Sequence, residues 1–281
     1  MEGPLRDRLR QMFPGVSGRR LKQWLERGRL RVNGVVVRRG DAPVGAGDRV
    51  ELGPPPPEPI PPPLRLVHED ADLVVVDKPT GLLTIADASE RERTVHRLLR
   101  DWLERRGAGR IFIVHRLDRE TSGLLVFARS RAAREALQRQ FRARAPERLY
   151  VARVEGAVRA DAGTLTSRLR EDRSLRVRPA RGDAAGRDAI TRYRVLGRDA
   201  DTTLLELALV TGRRGQIRAQ LAELGHPIVG DRAHGSRRDP MRRLALHAAR
   251  LAFVHPDGRH VAFDSPPPPG LRGPPIRRPG A

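Results

Sequence analysis

The chain contains no cysteine, only two lysines, and no apolar run near the ~20 residues that a membrane span requires. Without thiols, a disulfide framework, a thiolate zinc site, an iron–sulfur cluster and a catalytic cysteine are all excluded. The opening MEGPLRDRLRQMF carries charges with no apolar stretch behind them, so it does not read as a secretory signal. These absences predict a soluble, cytoplasmic protein with no membrane partner. Cofactor signatures are missing too. There is no P-loop, no G-x-G-x-x-G leading from a strand into a helix, no H-E-x-x-H or H-x-H spacing and no G-x-S-x-G elbow. Chemistry in this chain therefore falls to carboxylate, arginine, tyrosine or histidine side chains, with no metal and no organic cofactor expected.

What is present is positive charge. In 281 residues, 55 basic side chains face 34 acidic ones, a formal net charge of +21. Lys22 and Lys78 are the two lysines; the other 53 basic residues are arginines, in keeping with a GC-rich coding bias. Whatever its origin, such an excess attracts polyanions, and nucleic acid bound through its phosphates is the default partner.

A proline run, PPPPEPIPPP at 54–63, divides the sequence. As a polyproline-II spacer it would extend about 30 Å. Residues 1–53 and 64–265 are then expected to fold separately, and the Pro/Gly-rich stretch at 266–281 to be a flexible tail. In the first segment Leu5, Leu9 and Met12 share one helical face, and Pro14-Gly15 breaks it. Ser17 caps a second helix bearing Leu21, Trp24 and Leu25. Asn33-Gly34 between β-rich stretches signals a type I′ hairpin. Arg19, Arg20, Lys22, Arg27, Arg29 and Arg31 crowd the second helix and its exit, forming a candidate RNA-contacting face. The order PGVSGRRLKQWLERGRLRVNGVVV…GDRVEL resembles the S-four-type RNA-binding domain, a resemblance that implies structured RNA but no chemistry.

Beyond residue 64, strands outnumber helices and do not alternate regularly with them. Leu73–Val76 and Gly123–Ala128 are continuous apolar runs suited to central strands; Arg148–Glu155 and Thr202–Val210 alternate. The prediction is an α+β fold with a mainly antiparallel mixed sheet, preceded by the small helix–helix–hairpin module. Between two apolar stretches, IVHRLDRETSGLLVFAR (113–129) holds a polar cluster that presents Asp118 among arginines, as an ionised nucleophile or base would be presented.

HRLDRETSGLL resembles the signature loop of the RluA family of RNA pseudouridine synthases over all eleven positions. VVVDKPTGL is similar to that family's first motif and places Lys78. RLYVARVEG matches its tyrosine strand and places Tyr150, and TGRRGQIRAQLAELGHPIVGD its third motif, placing Arg218. With the N-terminal module, the resemblance spans about residues 3–265. It implies isomerisation of uridine in RNA without a consumed cofactor. Asp118 would be the essential carboxylate, attacking the ribose or abstracting a proton. Arg218 would pair with it, and Tyr150 would stack on the detached uracil and accept a proton. Arg116 would fill the space left by the flipped nucleotide, and His115 and Lys78 would be further RNA-contacting residues, His115 also supporting the loop. The third motif reads Gly212-Arg213-Arg214-Gly215-Gln216-Ile217-Arg218-Ala219-Gln220, where the family usually has G-R-T-H-Q-I-R-x-H. The three changes, together with His234 in place of a usual tyrosine, are expected to fall around the site and on RNA contacts. The resemblance points to 23S ribosomal RNA as substrate, transfer RNA second, and to a monomer. A non-catalytic RNA-binding ribosome-assembly factor on the same scaffold is the competing reading. An RNA methyltransferase would need a glycine-rich cofactor loop, and none occurs.

Overall fold

Asn33 and Gly34 take φ of +50° and +82°, the pair of left-handed residues that a two-residue type I′ hairpin demands. They join β2 (Leu30–Val32) to β3 (Val35–Val37) in the computed structural model, which describes residues 3–53, 59–88, 90–171, 177–180 and 186–272. The chain divides into two compact units, Met1–Pro59 and Ile60–Ala281. In the small unit, β1 (Gly3–Pro4) pairs with β4 (Pro43–Val44), and β5 (Val50–Leu52) pairs with β2 on the side away from β3. Helices α1 (Leu5–Met12) and α2 (Gly18–Glu26) cover this framework. The Ser17 hydroxyl caps α2 by accepting from the Arg20 N–H. Leu5, Leu9, Leu21, Trp24, Leu25 and Leu30 form the core, and Phe13 meets the Trp24 ring edge-on at 5.3 Å.

The large unit is one eleven-stranded sheet. Its strands are β6 (Arg65–Glu69), β7 (Leu73–Lys78), β8 (Phe112–Ile113), β9 (Ser122–Ala128), β10 (Glu147–Glu155), β11 (Ala162–Glu171), β12 (Val177–Pro179), β13 (Arg187–Arg198), β14 (Thr202–Leu209), β15 (Leu246–Val254) and β16 (His260–Asp264). The order is β12-β11-β13-β14-β10-β15-β9-β7-β6, with β16 also on β15 and β8 also on β9. Every pairing is antiparallel except β9 with β15, where His247 faces Ser122 and Ala248 faces Gly123. The mixed, mainly antiparallel α+β architecture expected from the sequence is the one observed.

The uninterrupted LVVV run of β7 is explained by burial on both sides. Val74 and Val76 face a core with Leu99, Trp102 and Leu103 of α3 (Val95–Arg105) and Ile217 and Leu221 of α5 (Gln216–Glu223). Leu73 and Val75 face Ala133 and Leu137 of α4 (Arg131–Arg142) instead. Each such side chain contributes roughly 1.5–3 kcal/mol by leaving water, so this three-layer region is the anchor on which the loops are hung.

Two sequence expectations change at the proline-rich stretches. Residues 54–58 and 273–281 lie outside the described residues. The later part of the proposed spacer is not an independent rod: Ile60 packs on the large core, and the Leu64 N–H donates to the Pro61 carbonyl at 3.1 Å. Nor is 266–272 a free tail. Pro269–Arg272 forms helix α6, Leu271 is fully buried, and its carbonyl accepts from Arg153 Nε at 3.1 Å. A single leucine with a cavity to fill outweighs the local Pro/Gly composition. Among the described residues, no helix is long and apolar enough to cross a membrane.

Candidate active site

The polar loop of residues 114–121 leaves the short strand β8 and enters β9 through Gly123, whose φ is +113°. A Cβ there would lie against the Ala248 backbone, only 2.6 Å from its nitrogen. Glycine is therefore required where the two parallel strands close on each other. From below, a second loop holds the first in place. Lys78 Nζ donates to the carbonyls of Pro79, Leu82 and Arg119 at 2.9, 2.7 and 3.0 Å. Thr80 Oγ1 donates to the Glu120 carbonyl, Thr84 Oγ1 to the Leu117 carbonyl, and the Gly81 N–H to the Arg119 carbonyl. Asp118 sits in the middle of this clamped segment.

Above it opens a cavity of about 620 Å3 lined by Asp118, Tyr150 and Arg218, with Arg116, His115 and Arg148 on its wall. The sheet explains the convergence. Tyr150 of β10 pairs with Ala248 of β15, which in turn pairs with Gly123 of β9. The loop after Gly215 then delivers Arg218 on α5. Next to that pair, Ala249 is the extra, unpaired residue of a bulge in β15, a device that bends a strand beside a site.

Asp118 is half-buried, and among the described residues its carboxylate has no hydrogen-bond partner. Arg218 is held elsewhere: Nε and Nη2 donate to the two oxygens of Asp231 at 2.7 and 2.6 Å. Burial would push the Asp231 carboxyl up, but hydrogen bonds from Arg218 and His234 outweigh it and hold it at about 2. The expected Arg218–Asp118 pair is thus corrected. Asp231 takes both N–H groups in fork geometry, and Asp118 acts on Arg218 only through its charge. Tyr150 is buried, and burial pushes its phenol up to about 12, with Asp118 adding to the effect. At neutral pH it offers a ring face and an O–H donor, not a phenolate.

A family model described as RNA pseudouridylate synthase matches residues 72–223, and one described as S4 domain matches residues 4–50. The chain belongs to the RluA family of RNA pseudouridine synthases. It is 37% identical over 270 residues to ribosomal large subunit pseudouridine synthase D of Xylella fastidiosa, covering 88% of this chain and 80% of that one. To the protein of the same name from Neisseria meningitidis serogroup B it is 34% identical, covering 92% and 74%. Among solved structures, human RNA pseudouridylate synthase domain containing 1 superposes with a TM-score of 0.62 at 25% identity, covering 74% of this chain and 86% of that chain. The chain is accordingly an RNA-acting pseudouridine synthase with an N-terminal S4 domain.

Two residues expected to touch RNA in this pseudouridine synthase do other work. Lys78 is fully buried with all three ammonium protons on carbonyls, so no phosphate reaches it. Burial pushes its pKa down to about 7, while Glu120 and Asp118 pull it back. His115 turns inward: Nε2 accepts from the Val126 N–H at 3.2 Å and the ring stacks on Phe141 at 4.6 Å. Burial and the Arg148 charge push it down to about 3, so it is a neutral prop. An unfolded histidine binds a proton below about 6.5 while the folded one does not. Its contribution is therefore complete above that pH and is lost as pH falls towards 3. The stability gap between wild type and H115Q should narrow over this window in denaturant titrations. A constant gap would contradict the assignment.

The departures in the third motif of this pseudouridine synthase are structural more than RNA-facing. Gln220 is buried, donating to Leu165 and Ala189 carbonyls and to Ser167 while accepting from Thr191. Gly215 is the left-handed N-cap of α5 at φ +59°. Arg214 pairs with Glu171, and His234 Nδ1 lies 3.0 Å from Asp231. Arg116 is exposed on the pocket wall and has no ion pair among the described residues.

In the S4 unit, Arg19, Arg20 and Arg29 share a hollow of about 380 Å3 with Arg27 and Trp24, and Arg29 lies 5.3 Å over the Trp24 ring. Lys22 faces a different hollow beside Glu26, and Arg31 is exposed on β2. The six-residue basic face is therefore split. Sequence reasoning also passed over Asp231, Thr84 and Arg148. Arg148 was detectable, since residues two apart on a strand share a face.

Proposed function

We propose that this enzyme converts a uridine of large-subunit ribosomal RNA to pseudouridine, with Asp118 as the essential carboxylate. The observation that carries the reading is an Asp118 carboxylate with no hydrogen-bond partner among the described residues, at the floor of a cavity walled by Tyr150 and Arg218. A group so placed needs no ion pair broken before it meets the ribose of a flipped nucleotide. Flipping costs a few kcal/mol, and Arg116 at the rim is positioned to occupy the vacated stack. The uracil, once its glycosidic bond has broken, rests on the Tyr150 ring, turns, and bonds to the ribose through carbon 5. Carbon 5 then loses its proton while the nitrogen freed from the ribose gains one, so none is consumed overall. Tyr150, which keeps its phenol proton at neutral pH, takes part as a relay that gives up its own proton as it accepts the other. Arg218, fixed by Asp231, keeps positive potential over Asp118.

The ribosomal target is supported by the names of the relatives, and the S4 unit supplies a separate grip on structured RNA. Transfer RNA is the second target class. We take the enzyme to work as a cytoplasmic monomer. Pseudouridine mapping of total RNA from cells with and without the gene tests the reading. The expected difference is confined to one or a few large-subunit positions, restored by the wild-type gene. A purified protein that forms no pseudouridine on any cellular RNA would overturn it.

A further inference from the structure

Arg148 is the unusual cation of the pocket. Its side chain lies between Phe141 and the Leu209 carbonyl, its Nε is buried without an acceptor, and it has no carboxylate partner among the described residues. A half-buried guanidinium with a sealed, unpartnered Nε is costly unless something neutralises it. Gly212 makes the placement possible, because a Cβ there would collide with Arg148 Nη1. The glycine is needed for the close approach of a side chain, as its own φ is not in the left-handed region.

A second arginine stands next to it at a conformational disadvantage. Helix α4 ends in a Schellman motif: the Arg144 N–H donates to the Phe141 carbonyl and the Ala145 N–H to the Gln140 carbonyl. Arg144 occupies the left-handed position at φ +60°, where glycine is the usual residue because a Cβ is crowded. Its side chain lines the same pocket and has no ion pair among the described residues, and its charge bears on Arg148. Two like charges, one half-buried and one on a disfavoured backbone, make sense together if an anion completes them.

We infer that Arg144 and Arg148 form a phosphate subsite that takes the RNA phosphodiester flanking the flipped uridine. Two guanidinium groups can share the oxygens of one phosphate. Arg148 and Tyr150 lie two residues apart on β10, about 7 Å along one face. A nucleotide with its base over Tyr150 therefore has its backbone within reach of Arg148. The inference rests on the proposed function, and it adds an anchor separate from Arg116 and from the S4 unit.

Three variants test it, using full-length protein and a large-subunit RNA transcript carrying the mapped uridine. R144G replaces the disfavoured residue with the one the motif prefers, so its thermal midpoint should hold or rise. RNA should nonetheless bind about tenfold more weakly. R148Q should lose a similar factor, and for each variant the slope of log affinity against log salt should fall by about 0.7–0.9. G212A keeps every charge and pushes only the flexible end of Arg148, so its loss should be in the same direction and smaller than that of R148Q. A neutral methylphosphonate at the flanking phosphate should weaken wild type more than R148Q, in which only Arg144 remains to lose its contact. Wild-type affinity and salt slope in both R144G and R148Q, or equal methylphosphonate sensitivity in wild type and R148Q, would overturn the subsite. Absence of pseudouridine formation by wild type overturns the functional reading instead, while the salt slopes still score the subsite as an RNA contact.

Discussion

Replacing Asp118 with asparagine is expected to reduce pseudouridine formation by at least about 10^3-fold, the scale on which removal of an essential reacting group acts. The fold should not notice. The carboxylate makes no hydrogen bond among the described residues, so the amide breaks nothing, and stability should stay within roughly 0.5 kcal/mol of wild type. RNA binding should be unchanged or slightly tighter, because a negative charge leaves a pocket rich in arginine. The three readings together separate a catalytic role from a structural or RNA-binding one. Retention of a tenth or more of wild-type single-turnover activity in D118N would remove Asp118 from the mechanism. An inactive wild type with intact RNA affinity would favour the assembly-factor alternative.

The second large effect is on stability. Lys78→Met keeps the apolar length of the side chain but removes the donor to the Pro79, Leu82 and Arg119 carbonyls; Arg119 keeps the Gly81 N–H, and Pro79 and Leu82 are stranded. An unsatisfied buried acceptor costs about 1–3 kcal/mol, so a total loss of at least ~2 kcal/mol is expected in chemical denaturation. The Arg119 carbonyl belongs to the loop that holds Asp118. Turnover by the folded fraction should therefore fall as well, while its RNA affinity should not. The opposite pattern, full stability with weakened RNA binding, would restore the phosphate-contacting role that the sequence suggested for this lysine.

Lys78 also illustrates where sequence reading runs out. Its neighbourhood, Lys-Pro-Thr-Gly after an apolar strand, locates it correctly at a strand end, and the scarcity of lysine marks it as a chosen residue. Whether an ammonium at a strand end meets carbonyls or phosphates depends on what the chain does forty residues later, and no local pattern encodes that. The same limit applies to Arg218. Its place in the third motif was legible, but its partner was not. Asp231 and Asp118 are both candidates by charge, and only the turn after Ile228 decides between them. By contrast, the hairpin at Asn33-Gly34, the Ser17 cap and the doubly buried β7 were readable because each follows from one or a few adjacent residues. Composition misled at Leu271, where burial overrode a Pro/Gly-rich context.

The burial of Lys78 has a practical corollary. Of the two lysines, one is sealed inside the large unit and the other, Lys22, stands exposed on α2 of the S4 unit. Fifty-three arginines leave amine-directed reagents untouched, and there are no thiols to compete. Lys22 is thus the single side-chain amine within reach of solvent. A succinimidyl fluorophore applied to the native enzyme would find Lys22 as its one side-chain target without engineering. It would report when the S4 unit, as distinct from the catalytic one, meets its RNA.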